Sequence, residues 1–529
     1  MCQALIGLNL LHPNEGEGEI YCIRRKEFPL PCLIHYIARP PVRIAILLPL
    51  FVGLLSAAEV GLTQSGQRIE AKISAGSSAS APTVLLIGGL NGDDESTRIV
   101  NQEAASKHSF RLVTIPRANP DKSVLQFPPT GVAYRDHPES QYLWRWIALE
   151  GPDLVLIAGD DHGLADALSQ NAVAGVGKIP ARRIEAKPGI LKSLPKQIPI
   201  SDAHRELDRR RARTPRQLAE ELAQFYGHDF DQSTYIPGIA LIAQMRLGHV
   251  AEVEKLAEPY TTATKDPLTA RPSSLNLAGH LVFAELAHRT GNPRYTQMVK
   301  RAADLGFDDK GVMKESMPFH DEMSDSVFMA TPLVVEAGRL TGDRKYFDLA
   351  ARHVAFMEKL DLRPDGLYRH SPLTDAAWGR GNAFPALGLA LTLTGFPTDH
   401  PAYPRLLLAY QQLMAALAKV QDDEGMWHEV LDEPASYPET SATSMIAVAM
   451  LRGIHHGWLD KAAYQPHVDR AWKSVLIRVA PNGVLIDVCE STNKQKTLDD
   501  YLHRAASLDK DPRGGAMAML LATEMAGLP

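Results

Sequence analysis

The sequence predicts a mainly α-helical protein, a six-hairpin α/α toroid (barrel) preceded by a small α/β domain. Three observations carry that expectation. Beyond about residue 214 apolar residues recur at helical spacing; the helices come in pairs joined by turns of one type; and residues 82–180 show short β-branched runs alternating with helical stretches. A chain of 529 residues is long enough to bury both units. With 45% hydrophobic and 22% charged residues and a formal net charge of -6, the composition is that of a soluble globular protein and excludes a nucleic-acid binder. The one basic run, 209–213, is expected to be a linker or a solvated helix face.

Taken in order, Arg39 and Arg43 precede a short apolar stretch, 44–55, which ends in Ser56, Ala57 and Ala58. That is the tripartite form of a secretory signal, and it is too short for a comfortable transmembrane helix. Residues 1–58 are therefore expected to be a signal peptide, with the true start near Val42, and the protein to be exported, periplasmic or extracellular, without stable membrane insertion. A buried N-terminal helix in a cytosolic protein is the alternative. Cys2, Cys22 and Cys32 lie in this leader, which leaves Cys489 alone in the mature chain and no internal disulfide.

Residues 83–87, 112–115 and 153–158 read as strands, each closed by Gly, Pro or Asp, with helices at about 97–107 and 139–149 between them. A small parallel sheet over 82–180 follows, and the Pro- and Arg-rich stretch 181–214 reads as a linker to a toroid domain over 215–529. In that domain RTGNPRY (289–295), LTGDRKYF (340–347), LTGFPTDHPAY (393–403) and GIHHGWLDKAAY (453–464) occupy the same place in successive units. The first helix of each pair falls near 236–247, 275–288, 327–340, 384–393, 442–452 and 515–525. Function is expected where the loops entering these inner helices converge.

Several polar or aromatic clusters sit at such ends. Asp325, between Ser324 and Ser326, opens the third inner helix and, taken alone, reads as an N-cap, with a catalytic acid as the alternative. In WGRGN (378–382) the two glycines are expected to form a tight loop from which Arg380 projects toward a planar carboxylate, with Trp378 as a flat face for a sugar ring. The alternative is an Arg that pins the loop to a neighbouring carboxylate, with Asn382 as an N-cap. His370, His428 and Glu439 read as either functional or structural. No HExxH, CxxC or phosphate-loop pattern occurs in this half, so no metal and no cofactor is expected.

DSVFMATP, LTGDRKYFDLAARHV, DGLYRH, WGRGN, the run 423–443 and DPRGGAMAMLLA follow one another in an order and spacing that resemble the unsaturated glucuronyl hydrolases of glycoside hydrolase families 88 and 105, especially the unsaturated rhamnogalacturonyl hydrolases of the latter. The resemblance covers residues 215–529. It implies a catalytic acid at Asp325 and substrate contacts at His370, Trp378 and Arg380, and Asn382, Phe384, His428 and Ser274 complete the candidate substrate-binding set. It further implies an oligosaccharide with a terminal uronic acid as partner, and release of a 4,5-unsaturated uronic acid by protonation at C4 and addition of water at C5. Two positions depart from the family pattern: its second acid aligns near Ser274, and its usual Trp is Phe384. The missing acid keeps open a glucuronidase acting on saturated uronides, or a uronide-binding protein without activity.

GGLNGDDES (88–96), IPRANPD (115–121) and PDLVLIAGDDHG (152–163) resemble the start of a zinc carboxypeptidase-like fold. The residues aligned with its zinc ligands are Asn91, Asp94 and His162, and Asn is a poor zinc ligand. The front domain is thus expected to be non-catalytic, with a working amidase or peptidase as the alternative.

Overall fold

The computed structural model describes residues 56–528 other than 79, 80, 107, 174 and 196. Most of the expected signal segment lies outside the described residues. Its last part, from Ser56, opens strand β1 (Ser56–Leu62), which pairs antiparallel with β2 (Arg68–Ser74). The α/β layer continues as β3 (Thr83–Ile87), α1 (Asp94–Ala104), β4 (Arg111–Ile115), α2 (Pro138–Glu150), β5 (Leu154–Ala158), α3 (Leu164–Gln170) and β6 (Ala181–Ile184). The sheet order is β1-β2-β4-β3-β5-β6, with β4, β3, β5 and β6 mutually parallel. The expected parallel core is present, flanked by an antiparallel pair that begins well before residue 82. Every residue of β3 is buried, as a central parallel strand covered on both faces requires.

The stretch expected as a linker is structured. Residues 181–184 form the edge strand β6, and α4 (Asp202–Arg211) packs against α2. The basic run is not a solvated face throughout. Arg210 is buried and donates to the carbonyls of Ile477 and Gly175 at 2.8 Å each, and Arg213 donates to those of Leu476 and Val479 at 2.5 and 2.7 Å. Cations at the open carbonyl end of a helix are favoured by its dipole, which is why these arginines are drawn inward.

The helical half runs α5 (Pro215–Ala223), α6 (Tyr235–Arg246), α7 (Val250–Thr261), α8 (Ser274–Gly279), α9 (Leu281–Thr290), α10 (Pro293–Ala303), α11 (Ser326–Thr341), α12 (Lys345–Asp361), α13 (Gly379–Gly395), α14 (Tyr403–Lys419), α15 (Thr440–His455), α16 (Lys461–Arg478), β7 (Val488–Cys489), α17 (Asp499–Leu502), β8 (Ala506–Ser507) and α18 (Pro512–Met525). The inner ring is α6, α8 with α9, α11, α13, α15 and α18, each packed on the next, and α18 closes the ring on α6. The burial patterns explain the two layers. Helix α11 is buried without a break from Ser326 to Val335, whereas α12 buries the stripe Tyr346, Leu349, Ala350, His353, Val354 and Met357 and leaves its other face wet. Small residues let the inner helices touch: a Cβ at Gly388 would stand 2.7 Å from the backbone nitrogen of Phe328.

The second inner helix is broken at His280, the residue between α8 and α9. Its Nδ1 lies 2.7 Å from the Asn276 carbonyl, and burial pulls its imidazole down to about 4, so it is neutral. Among the described residues no helix is long and apolar enough to cross a membrane.

Candidate active site

Asp325 stands at the start of α11, but its backbone is already helical (φ -49°, ψ -32°) and its carboxylate caps nothing. A capping side chain needs extended backbone to fold back on the first turn. The flanking serines hold it in that position. Ser324 donates through its hydroxyl to the Gly381 carbonyl at 2.6 Å and through its amide to the His370 carbonyl at 3.0 Å. Ser326 meets Nε2 of His353 at 3.1 Å, while Nδ1 of that buried ring accepts from the Met317 amide at 3.2 Å. Both sides of Asp325 are therefore fixed, and its side chain keeps 15% exposure.

Nε2 of His370 lies 3.3 Å from Oδ2 of Asp325. The approach is close but not aligned as a hydrogen bond, and neither atom has another partner among the described residues. On the other side of the ring, Nδ1 lies 2.7 Å from the hydroxyl of Tyr501, whose oxygen accepts from the Gln495 amide at 3.2 Å. Burial pushes the Tyr501 phenol up to about 12, so it remains protonated and donates to Nδ1. In the neutral imidazole the hydrogen then sits on Nε2 and faces Asp325.

WGRGN is not a loop. Trp378 precedes α13, and residues 379–382 form its first turn. The glycines are there for close packing: a Cβ on Gly379 would come within 2.2 Å of the His428 carbonyl, and one on Gly381 within 2.9 Å of the Trp378 ring. Arg380 is only 3% exposed, and its guanidinium donates to the carbonyls of Cys489 at 2.7 Å and Glu490 at 3.0 Å while lying 5.0 Å over Trp378. It neither projects from a loop nor pairs with a carboxylate. Trp378 is sealed between Arg380 and His370, whose ring centroid is 4.4 Å away, so it offers no open face. Asn382 is not an N-cap. It accepts from the Tyr368 amide at 2.7 Å and donates to the carbonyls of Tyr368 and Trp378 at 2.7 and 3.0 Å, tying the segment before His370 to α13. Phe384 packs against Tyr235 and Phe328 at 5.6 and 5.5 Å in the core.

Beneath Trp378 lies a buried acidic floor. The indole donates to Oε1 of Glu429 at 2.9 Å, and burial, reinforced by Glu439, pushes the Glu429 carboxyl up to about 8. Glu439 caps α15, accepting from the Ser441 hydroxyl at 2.8 Å and the Cys489 amide at 2.9 Å, which is the helix-start role its neighbours suggest.

Tyr235 and Asp511, which the sequence reading did not single out, belong to the same end of the ring as Arg513, the residue that opens RGGAMAML (513–520). The hydroxyl of Tyr235, at the start of α6, feels the charges of Arg380, Asp325, Arg513 and Asp511, while burial pushes its phenol up to about 12. Asp511 caps α18 and holds Arg513 through its Nη2 at 2.6 Å. Each opens an inner helix, so the placement of function at helix starts could have found them. Tyr501 had no such signal, since it lies in the one-turn helix α17. Asp361, at the end of α12, is buried with both oxygens unpartnered among the described residues; burial pushes its carboxyl up to about 8, Asp325 adding to the rise.

Ser274 opens α8 at the same end of the ring, with no side-chain hydrogen bond among the described residues. His428 faces elsewhere. Its Nε2 pairs with Asp422 at 2.9 Å and its Nδ1 lies 2.5 Å from the Ser436 carbonyl. Burial pulls that imidazole down, but Asp422 overrides it and leaves it raised. The ring lines a cavity of about 1020 Å³ between the α/β layer and the toroid, with Arg145, Glu150, His204 and Arg478. Neither Asp325 nor His370 lines that cavity. A hollow of about 640 Å³ lined by residues 314–322 and Lys494 borders the loop that delivers Asp325.

In the α/β layer His162 contacts Asn91, and Asp94 pairs with Arg117 on the surface. Among the described residues no three His, Cys, Asp or Glu side chains are grouped to hold a metal.

Comparison with known proteins bears on this arrangement. The chain is 28% identical over 186 residues to the unsaturated rhamnogalacturonyl hydrolase YesR of Bacillus subtilis, a match covering 34% of this chain and 52% of that protein. It is 25% identical over 176 residues to an unsaturated 3S-rhamnoglycuronyl hydrolase of Alteromonas, covering 30% and 42%. The chain thus spans about half the length of the curated relatives it matches. Among solved structures, a possible member of the GH105 family from Salmonella enterica superposes with a TM-score of 0.51 at 20% identity, covering 64% of this chain and 98% of that one. A glycosyl hydrolase family 88 protein from Bacteroides vulgatus does so with a TM-score of 0.51 at 15% identity, covering 60% and 100%. These likenesses show the toroid fold. Residues 229–528, more than half of the chain, match the family model itself, and the chain belongs to Glycosyl Hydrolase Family 88.

Proposed function

We propose that the protein releases a terminal 4,5-unsaturated uronic acid from an oligosaccharide, with Asp325 as the acid. The observation that carries this reading is the Asp325 carboxyl itself, which caps no helix, stands 3.3 Å from His370 and lies at the end of the ring where the inner helices begin. The relatives, named as unsaturated rhamnogalacturonyl and 3S-rhamnoglycuronyl hydrolases, support the substrate class.

The reaction needs one carboxyl twice. Asp325 gives its proton to C4 of the vinyl ether, and water adds at C5 as its proton passes to the carboxylate. The product is a hemiketal, which opens and releases the neighbouring sugar. Hydration of a double bond has no need of two carboxylates spaced across an anomeric carbon. His370, with its hydrogen on Nε2, steadies the carboxylate after proton donation, and Tyr501 keeps the ring in that tautomer. Arg380 and Trp378 act from beneath, as supports of His370. Ser274, where a second acid would stand, supports one other reading, a glucuronidase acting on saturated uronides. An exported protein remains our reading of the leader sequence.

The test follows absorbance of the conjugated double bond with unsaturated uronyl disaccharides. Wild type should consume them, and Asp325→Asn should lose activity by about 10³-fold. Full activity in Asp325→Asn would sink the assignment, and release of glucuronic acid from saturated substrates without loss of absorbance would favour the second reading.

A further inference from the structure

We propose that the α/β layer is a positioning element of the active site, acting through Arg145 and Tyr134 on Asp487. The proposal rests on the reading of Asp325 and His370 as the reacting pair. It gives the front layer a role in the toroid's chemistry where the sequence suggested an accessory domain.

Arg145 lies on α2, and its side chain is 2% exposed against 0% for Asp487. Its Nη1 donates to Oδ2 of Asp487 at 2.8 Å, and the Tyr134 hydroxyl donates to Oδ1 at 2.5 Å. The guanidinium also lies 5.3 Å over the Tyr134 ring, which stacks at 4.4 Å on Tyr437 of the toroid. Arg478 of α16 adds a second cationic neighbour, its Nε 3.6 Å from Oδ2. A carboxylate so deeply buried persists only because it is paired, and removal of one partner leaves an uncompensated charge.

Asp487 is in the left-handed region, with φ +63°. A non-glycine residue holds such a conformation only where its surroundings over-determine it. The turn it makes sends the chain into β7, and from there the contacts lead to the reacting pair. The Asp487 carbonyl accepts from the Thr440 amide at 2.8 Å, at the start of α15. The carbonyls two and three residues further on, of Cys489 and Glu490, hold the guanidinium of Arg380. Arg380 stacks on Trp378, Trp378 on His370, and His370 faces Asp325. The path from α2 to the carboxyl is therefore continuous, buried and made of charged or stacked contacts. If Asp487 relaxed, the two carbonyls would shift and Arg380 and Trp378 would no longer fix the His370 ring.

The experiment uses the full chain with Arg145→Met, Arg145→Lys, Tyr134→Phe and Leu85→Ala. Leu85 is buried in the same layer, away from Asp487, and serves as a control for lost stability. Turnover of an unsaturated uronyl disaccharide is measured below the melting temperature of every variant, with hydrogen exchange of the peptide 486–490 read by mass spectrometry. Arg145→Met should lower kcat by about 10- to 100-fold with KM within about twofold of wild type, since displacement of a catalytic group costs rate more than binding. Arg145→Lys should recover part of that loss, Tyr134→Phe should lie between, and Leu85→Ala should keep wild-type kcat. Exchange at 486–490 should rise in the Arg145 and Tyr134 variants alone.

The proposal is overturned if Tyr134→Phe and Arg145→Lys keep wild-type kcat and exchange, or if Leu85→Ala loses as much rate as they do. Should Arg145→Met fail to fold, those two milder variants decide the matter. If wild type turns over no unsaturated substrate, the proposed reaction fails on its own, and the exchange measurement then decides whether Arg145 and Tyr134 hold the 486–490 segment.

Discussion

The hydroxyl of Tyr501 meets Nδ1 of His370 at 2.7 Å and thereby determines which edge of the imidazole faces Asp325. The phenol accepts from the Gln495 amide, so its own hydrogen is free for the ring. Tyr501→Phe removes that donor without changing the volume of the site. The ring could then adopt either tautomer, and we expect kcat to fall by about 10-fold with the fold intact, within the range set by one general acid–base contact. An unchanged rate would show that the tautomer does not matter.

Gly379→Ala tests why the first turn of α13 carries glycine. The new Cβ would lie 2.2 Å from the His428 carbonyl, a backbone atom that cannot swing away. The Gly379 amide also donates to the Glu429 carbonyl at 2.7 Å, so the two segments must separate together. A loss of about 3 kcal/mol in chemical denaturation is expected, at the upper end of overpacking costs. A stability within error of wild type would mean that the glycine serves local flexibility.

Asp361 should make stability depend on pH. Burial raises its carboxyl from 3.8 to about 8 in the folded protein. Between those values the folded state keeps a proton that the unfolded chain has lost, so this group's contribution falls as pH rises and levels off above the folded pKa. Asp361→Asn removes the cost of ionising a buried acid. It should stabilise the protein by up to about 5 kcal/mol at pH 8 and by almost nothing below the unfolded pKa. Thermal melts at the two ends of this window give the answer, and an advantage that grows toward acid would contradict the assignment.

Arg210→Met should destabilise the protein although it removes a residue from an Arg-rich run. The buried guanidinium satisfies the Ile477 and Gly175 carbonyls and pairs with Glu206 at 2.8 Å. Losing these bonds strands two carbonyls, at a cost of about 3 kcal/mol, while Glu206 keeps its pair with Arg209. Arg211→Met is the comparison. Among the described residues its guanidinium pairs with Asp208 alone, on the surface at 3.0 Å, and a pair of that kind is worth less than about 1 kcal/mol.

The inner helices were legible because their signal is local. Apolar periodicity placed the first at 236–247 and the third at 327–340, against Tyr235–Arg246 and Ser326–Thr341 in the structure. The fourth was expected from residue 384, yet it begins at Gly379. Glycine has low intrinsic helix propensity, and two in succession around Arg380 argued for a loop. Contacts with the His428 carbonyl and the Trp378 ring reversed that preference, and such contacts have no trace in the local sequence. The linker expected over 181–214 fails for a related reason. Arginines read as solvated by composition are drawn inward by carbonyls at the end of α16, more than 260 positions away in the chain.

The sequence by itself determined the succession of helical pairs, the family and the identity of the polar residues at the inner helix starts, because periodicity, turn chemistry and motif order are properties of neighbouring residues. Only the tertiary structure decided what those residues face. It freed Asp325 from a capping role, set it beside His370, and turned Arg380 from an exposed fork into a buried brace. It also joined the front layer to the toroid through Arg145 and Asp487. Direction and burial depend on contacts between segments tens to hundreds of residues apart, and closing the ring creates those contacts.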